Sequence, residues 1–179
     1  MIFHETGLSG AYLVELERRA DERGFFARSW CQREFAERGL NADLAQCNIS
    51  FNKERGTLRG LHFQRAPHEE AKLVRCTQGA IFDVIIDLRQ TSASFTKHYS
   101  IQLDSDNRLA LFVPKGFAHG FQTLSDSTEV FYQMSDLYVP GAGAGIRWDD
   151  PTFGIRWPLP NPLMNERDRT WPDWNSIPR

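Results

Sequence analysis

Short apolar runs separated by turn-forming residues dominate the pattern of this chain. The longest run, Ala80–Leu88, follows Gly79 and is rich in the β-branched and aromatic residues that strands favour. Similar but shorter runs are Ala11–Val14, Lys72–Cys76, Tyr99–Leu103, Leu109–Val113 and Glu129–Met134. Strands of this length at short, fairly even spacing predict a β-sandwich or barrel and argue against alternating βαβ units.

The clearest helix candidate is Gln32–Gly39, in which Phe35 is the apolar position and Gly39 provides a C-terminal stop. From residue 140 onward the chain is rich in Pro, Gly and Trp, which predicts ordered but irregular structure. We expect four indoles to anchor this segment to the body of the protein, those of Trp148, Trp157, Trp171 and Trp174. Because no repeat, low-complexity tract or linker interrupts the sequence, we expect residues 1–179 to form a single domain.

The composition excludes several classes of protein. A net charge of -2 gives no electrostatic reason to expect nucleic acid or an anionic membrane as a partner. No apolar run approaches the roughly 20 residues of a membrane-spanning helix, and the first residues lack the pattern of a signal peptide. The three cysteines form no C-x-x-C pair, which argues against a disulfide scaffold or a zinc knuckle. These features predict a cytoplasmic protein.

Two histidines lie in glycine-flanked segments that suit a ligand site. His62 lies in 56–64 and His119 in 113–121, and glycine allows a ligand to approach the backbone closely. An imidazole with a pKa near 6.5 can exchange a proton at neutral pH. Any one histidine taken alone is more often structural, so the combination is what favours function.

A metal site is the first alternative for these histidines. Metal-binding cupins carry two histidines one residue apart, whereas His62 is followed by Phe63 and Gln64. His62, His119 and a carboxylate can form a three-ligand site in principle. No local spacing supports such a site, so we predict that the protein holds no metal.

Three other residues have polar groups in suggestive places. Lys72 begins an apolar strand, and it would be a fixed cation if it faced the interior. Tyr132 lies within a strand, on the face opposite Phe131 and Gln133, and a phenol can donate a proton. Asp168, near the C-terminal end, is by default a solvated acid.

An ordered series of segments resembles the dTDP-4-dehydrorhamnose 3,5-epimerase family. The segments that carry the resemblance are 21–26, 46–50, 56–64, 71–76, 79–84, 113–121, 138–140, 145–151 and 154–158. They cover nearly the whole chain. The resemblance implies an all-β, cupin-type double-stranded β-helix, or jelly roll, with short flanking helices. It also implies a homodimer without cofactors that epimerises a nucleotide-linked 4-keto-6-deoxy sugar.

The resemblance assigns a catalytic role to four residues. His62 would be the base that removes a proton next to the C4 ketone, and Asp168 would orient its imidazole. Lys72 would stabilise the developing oxyanion at O4, and Tyr132 would return a proton from the opposite face. The resemblance further implies substrate-binding roles for Arg23, Phe26, Arg28, Gln46, Asn48, Arg59, His119, Tyr138, Gly143 and Arg167.

Two departures from the family pattern affect the implied binding set. The family commonly has a glutamate where this chain has Arg28, and another in the stretch that here reads Gly-Ala-Gly-Ala at 141–144. The first departure reverses a charge beside an anionic ligand, so the sugar and the nucleotide stay open. Whether C3, C5 or both are inverted also stays open.

Three other functions remain compatible with the sequence. A keto-sugar isomerase could use the same base, and a sugar-nucleotide-binding module could use the same scaffold without catalysis. A metal-dependent cupin oxygenase is the third. Since Arg23 and Arg28 belong to an N-terminal segment that reaches toward the partner subunit in the family, we expect them to serve the neighbouring site.

Overall fold

The computed structural model describes residues 1–176, which form two antiparallel sheets and a separate two-stranded hairpin. In spatial order, the larger sheet consists of β1 (Ile2–Glu5), β2 (Tyr12–Glu15), β10 (Ala110–Val113), β7 (Lys72–Gln78), β12 (Thr128–Met134) and β5 (Gln46–Asn52). The smaller sheet consists of β13 (Gly143–Gly145), β6 (Leu58–Gln64), β11 (Phe117–Thr123), β8 (Ala80–Asp87) and β9 (His98–Asp104). The hairpin pairs β3 (Arg19–Asp21) with β4 (Gly24–Phe26).

Helical structure is limited to short segments outside the sheets. Helix α1 spans Gln32–Ala36, helix α2 spans Glu166–Arg169, and a 3₁₀ turn covers Trp174–Ser176. Helix α1 ends before Gly39, but Gly39 has the left-handed backbone conformation that follows a helix end, with φ of 68°. Gly39 therefore ends the helical segment as predicted, but a turn that is not α-helical lies between the end of α1 and Gly39.

The predicted strands β7 and β8 are apolar because they are covered on both faces. Val74 of β7 and Ile85 of β8 meet between the sheets in one buried cluster. Leu73 faces the other way and packs with Phe35 of α1, on the outer side of the larger sheet. Ile86 faces outward beneath the C-terminal segment, where Trp174 is buried. A strand with both faces covered carries a nearly continuous apolar run.

The all-β prediction is confirmed, and the two facing antiparallel sheets form the expected jelly roll. Within the part of the chain that the structure describes, no helix is long and apolar enough to span a bilayer. The prediction of ordered but irregular structure after residue 140 needs one correction, because β13 adds a short edge strand beside β6 and α2 packs near it. Three of the four indoles pack on the body: Trp157 against Phe82, Trp174 in the buried cluster with Ile86, and Trp171 beside His62. Trp157 also donates a hydrogen bond to the carbonyl of Trp148 within the segment.

Candidate active site

A pocket of about 380 Å³ opens between the two sheets at the ends of β5, β6, β7 and β12. It joins a second cavity of about 210 Å³, and His62, Lys72 and Tyr132 line both. Strand alternation explains this arrangement, because every second side chain of an inner strand points between the sheets. The inward positions that are polar at these strand ends create a polar pocket beside the apolar cluster between the sheets.

His62 and Asp168 form a hydrogen-bonded pair at the wall of the pocket. Nε2 of His62 lies 2.7 Å from Oδ1 of Asp168, and the carboxylate is almost completely buried. The backbone N–H of Gly60 donates to Oδ2 of Asp168 at 3.3 Å. Since the carboxylate accepts a hydrogen bond from Nε2–H, Nδ1 of His62 is left as the basic nitrogen.

Helix α2 positions Asp168. Asn165 precedes the helix and its side chain accepts a hydrogen bond from the backbone N–H of Asp168 at 2.7 Å, which is an N-cap. Burial acts to raise the pKa of Asp168, but the hydrogen bond and charge of His62 and the hydrogen bond of Gly60 outweigh it. The pKa of Asp168 is therefore lowered, and the group is a carboxylate at neutral pH.

Lys72 and Tyr132 lie on the wall opposite His62. They belong to adjacent strands of the larger sheet, β7 and β12, whereas His62 belongs to β6 of the smaller sheet. The pKa of the Tyr132 phenol is raised by burial; the charge of Arg59 works against this shift and that of Glu70 adds to it. Tyr132 is therefore a neutral hydroxyl at physiological pH and can donate a proton.

His119 forms a second histidine–carboxylate pair in the smaller cavity. Its Nε2 lies 2.7 Å from Oδ1 of Asp83, and both side chains are largely buried. Arg59 lines the same cavity and donates from Nε to the side-chain oxygen of Asn52 at 2.7 Å. This cavity therefore adds His119 and Arg59 to Lys72 as groups that can bind an oxyanion or a phosphate oxygen.

The sequence-predicted site residues divide into two groups. Those that line the pocket or its second cavity are His62, Lys72, Tyr132, Gln46, Asn48, Arg59, His119, Tyr138, Gly143 and Arg167, with Asp168 behind His62. Arg23, Phe26 and Arg28 line neither cavity. Arg23 is paired with Asp21 on the exposed hairpin, and Arg28 is paired with Glu34.

Two acidic residues of the site were missed from the sequence. Glu70 lines the pocket and its Oε1 lies 3.0 Å from Nζ of Lys72. The sequence signal for Glu70 was its position two residues before Lys72, because side chains two residues apart lie on the same face of an extended chain. Asp83 lies within an apolar strand, and a buried carboxylate there requires a partner, which is His119.

Trp171 supports the His62 pair from the side. Its ring lies edge-on to His62 with 6.3 Å between ring centroids, and the Arg167 guanidinium stacks on its face at 4.9 Å. Gly145 makes room for this indole, because a Cβ at Gly145 would lie 2.3 Å from the ring. The glycine on β13 therefore fixes how closely the C-terminal segment approaches the histidine.

We expect Gly145→Ala to destabilise the protein by about 1–3 kcal/mol, since the added methyl group would displace the indole of Trp171. Denaturant unfolding followed by tryptophan fluorescence measures the change. Gly143→Ala is the matched control on the same strand, because its Cβ would approach Arg167 and Tyr138 only to 3.4 and 3.7 Å. Equal stability losses in the two variants would contradict this role of Gly145.

Among residues 1–176, no group of three or more His, Cys, Asp or Glu side chains is arranged to hold a metal ion. The two histidines of the site instead each direct Nε2 at a carboxylate. The pocket provides a histidine–aspartate pair on one wall, and a phenol and a lysine on the opposite wall. The fold and this set of groups define a jelly-roll acid–base enzyme.

Comparison with known proteins identifies the family. The model of the family described as dTDP-4-dehydrorhamnose 3,5-epimerase matches residues 5–176, and the chain belongs to this family of isomerases. The dTDP-4-dehydrorhamnose 3,5-epimerase of Methanothermobacter thermautotrophicus is 44% identical, over 94% of this chain and 92% of that protein. The expected family and enzyme class are thus confirmed.

Solved structures of the family show the same fold. The crystal structure of dTDP-4-dehydrorhamnose 3,5-epimerase from Elizabethkingia anophelis superposes with a TM-score of 0.95 and is 36% identical, covering 98% of this chain and 97% of that one. The Bacillus anthracis enzyme, solved with TDP and PPi bound, gives a TM-score of 0.92 at 40% identity, covering 96% and 98%. The expected cupin-type jelly roll is therefore confirmed.

Proposed function

We propose that this epimerase acts on a nucleoside-diphosphate-linked 4-keto-6-deoxyhexose of the dTDP-4-keto-6-deoxyglucose type and inverts C3, C5 or both. The observation that carries the proposal is the placement of His62 and Tyr132 on opposite walls of one pocket. Inversion at carbon requires a proton to leave from one face and return to the other. A base on one sheet and a phenol on the facing sheet meet that requirement.

The chemistry assigns a role to each group. The protons at C3 and C5 are acidic because they lie next to the C4 ketone, and His62 removes one through Nδ1. Asp168 stabilises the imidazolium that results. Lys72 stabilises the negative charge that develops on O4, with His119 beside it in the second cavity. Tyr132 then donates its proton to the opposite face of the enolate.

The nucleotide part is proposed from the relatives and from the pocket. The Bacillus anthracis relative was solved with TDP and PPi bound, and the pocket here carries the amide groups of Gln46 and Asn48 together with Arg59 and Arg167. Amides suit a nucleobase edge, and guanidinium groups suit phosphate oxygens. We propose a thymidine diphosphate sugar as the ligand on this basis.

Proton NMR in D₂O with dTDP-4-keto-6-deoxyglucose and chelator-treated protein tests the proposal directly. Loss of the C3 or C5 proton signal, together with appearance of the inverted sugar, is the expected result, and the carbon that exchanges identifies the centre. A shift of the ketone along the ring would instead indicate a keto-sugar isomerase. Tight binding without exchange would indicate a binding module and contradict the proposed reaction.

Asp168→Asn is expected to lower deuterium uptake by about 10²-fold, because the amide no longer stabilises the imidazolium.

The same variant tests whether the Asp168 side chain is charged in the folded protein. Since folding lowers the pKa of Asp168, its carboxylate contributes stability above the unfolded pKa of about 4 that is lost as pH falls through the lowered value. Denaturant unfolding at several pH values should show the gap between wild type and variant closing below about pH 4.

Asp149→Asn is the control for this comparison, since Asp149 is an exposed acid of the same C-terminal segment that lies outside the pocket. It should leave deuterium uptake unchanged. A pH-independent gap between wild type and Asp168→Asn would argue that the pair with His62 is not ionic.

We also propose that the protein acts as a homodimer. β5 is an edge strand, and its outward positions Ile49 and Phe51 are exposed apolar side chains. Phe26 on the hairpin is 71% exposed. Exposed strand edges and rows of apolar side chains are usually covered by another surface. A second copy of the chain would cover them. It would also bring its own Arg23 and Arg28 toward the pocket, which the Arg23 and Arg28 of the same chain do not line.

Sedimentation equilibrium is expected to give the mass of two chains for the wild type, and Ile49→Glu is expected to shift the mass toward one chain because it places a charge in the apolar row. Leu163→Glu is the control, since Leu163 is a comparably exposed apolar residue outside β5. A monomeric wild type that is fully active would contradict the dimer proposal.

We further propose a single domain and a cytoplasmic location. Asp168 reaches back to β6 from the C-terminal segment, which ties the end of the chain into the same core. Cys31, Cys47 and Cys76 are free thiols, and free thiols suit a reducing compartment.

A further inference from the structure

Glu70 has a buried carboxylate oxygen that residues 1–176 leave without a hydrogen-bond partner. Its side chain is 5% exposed, and Oε1 lies 3.0 Å from Nζ of Lys72, whereas Oε2 is buried and unpaired. A buried charged oxygen without a partner is costly, so native proteins rarely retain one unless a ligand or water satisfies it. Because Glu70 lines the pocket, the missing donor is expected to come from the pocket.

The position of Lys72 indicates which ligand group faces this oxygen. On the proposed function, on which this inference rests, Nζ of Lys72 binds O4 of the keto sugar. The Glu70 carboxylate is the direct neighbour of that ammonium group. The ligand atom next to O4 that can donate a hydrogen bond is the hydroxyl on C3, because C5 carries a methyl group and the ring oxygen. Lys72 and Glu70 thus form a donor and an acceptor side by side, which complements a hydroxyl group next to a ketone.

We propose that Glu70 is a specificity-determining residue that accepts a hydrogen bond from the C3 hydroxyl through Oε2. It selects 4-keto sugars that carry a hydroxyl on C3 over the corresponding 3-deoxy sugars. A 3-deoxy sugar leaves the carboxylate oxygen desolvated and unpaired, and a site of this kind discriminates strongly against such an analogue.

The test compares deuterium uptake from D₂O by two ligands, dTDP-4-keto-6-deoxyglucose and its 3-deoxy analogue, at the same carbon. We expect the kcat/KM of the wild type to favour the hydroxylated sugar by about ten- to a hundredfold, the range typical of a hydrogen bond to a charged group. Glu70→Gln keeps the shape and an oxygen for Lys72 but replaces the second acceptor with an amide. In this variant, the kcat/KM values for the two sugars are expected to agree to within a few fold.

Glu69→Gln is the matched control, because Glu69 is the adjacent acid and does not line this pocket. It should retain the wild-type preference. The inference is overturned if the wild type shows no preference, or if Glu70→Gln lowers kcat/KM equally for both sugars, which would mean that Glu70 acts only through Lys72. Failure of the proposed function is recognised separately, since the wild type would then exchange neither sugar.

Discussion

His62→Ala is expected to lower deuterium uptake at the sugar by about 10²–10⁴-fold, the contribution typical of a positioned general base. The other histidine of the site, His119, lines only the smaller cavity, so it is not placed to act in the main pocket that His62 and Tyr132 share. NMR of the keto sugar in D₂O measures the loss. The effect should fall on kcat, since His62 acts on a proton and contributes little to holding the nucleotide.

The His62 side chain is 42% exposed, so its loss opens no closed cavity, but the alanine variant leaves the buried Asp168 carboxylate without its imidazole partner. His62→Gln is a second variant, whose amide can still donate to the buried Asp168 carboxylate while lacking a basic nitrogen. His98→Ala is the control, because His98 is an exposed histidine on β9. Uptake at the wild-type rate in both His62 variants would remove the proposed base.

The strands that could be predicted from the sequence are those whose apolar pattern is nearly continuous, even where one residue of the strand, such as Tyr132 of β12, lines the pocket. β8 and β12 are apolar over most of their length, and their predicted bounds agree with the structure to within one residue. β5, β6 and β11 were not delimited, because glycine and polar residues interrupt their apolar pattern. Those interruptions include Asn48, His62 and His119, which line the pocket. On these three strands, the side chains that line the site are thus among those that interrupt the apolar pattern.

Contacts between residues far apart in the sequence could not be predicted from the local pattern of residues. His62 and Asp168 are 106 positions apart, and taken alone Asp168 was expected to be a solvated acid; only the family resemblance placed it beside the histidine. A local signal did exist, since Asn165 followed three residues later by Asp168 is typical of a helix N-terminus. For Lys72 the alternation left two faces open, and the structure turns it toward the interior, where Val74 is also buried.

Tyr132→Phe is expected to separate exchange from inversion. His62 can remove a proton and return a deuteron to the same face, because its partly exposed ring exchanges with solvent, so uptake should stay within about tenfold of the wild type. Formation of the inverted sugar should fall by about 10²–10⁴-fold, because the phenylalanine ring has no proton to donate. NMR of one reaction in D₂O reports both quantities.

The tyrosine variant keeps the ring that packs on the central cluster, so an effect on inversion cannot be assigned to lost packing. Tyr99→Phe is the control, since Tyr99 packs on the same cluster from β9 and lines neither cavity. If Tyr132→Phe inverted the sugar at the wild-type rate, the second proton would come from water or another group. If uptake were lost along with inversion, Tyr132 would act before the enolate forms. Only loss of inversion with retained uptake supports a two-face mechanism across the two sheets.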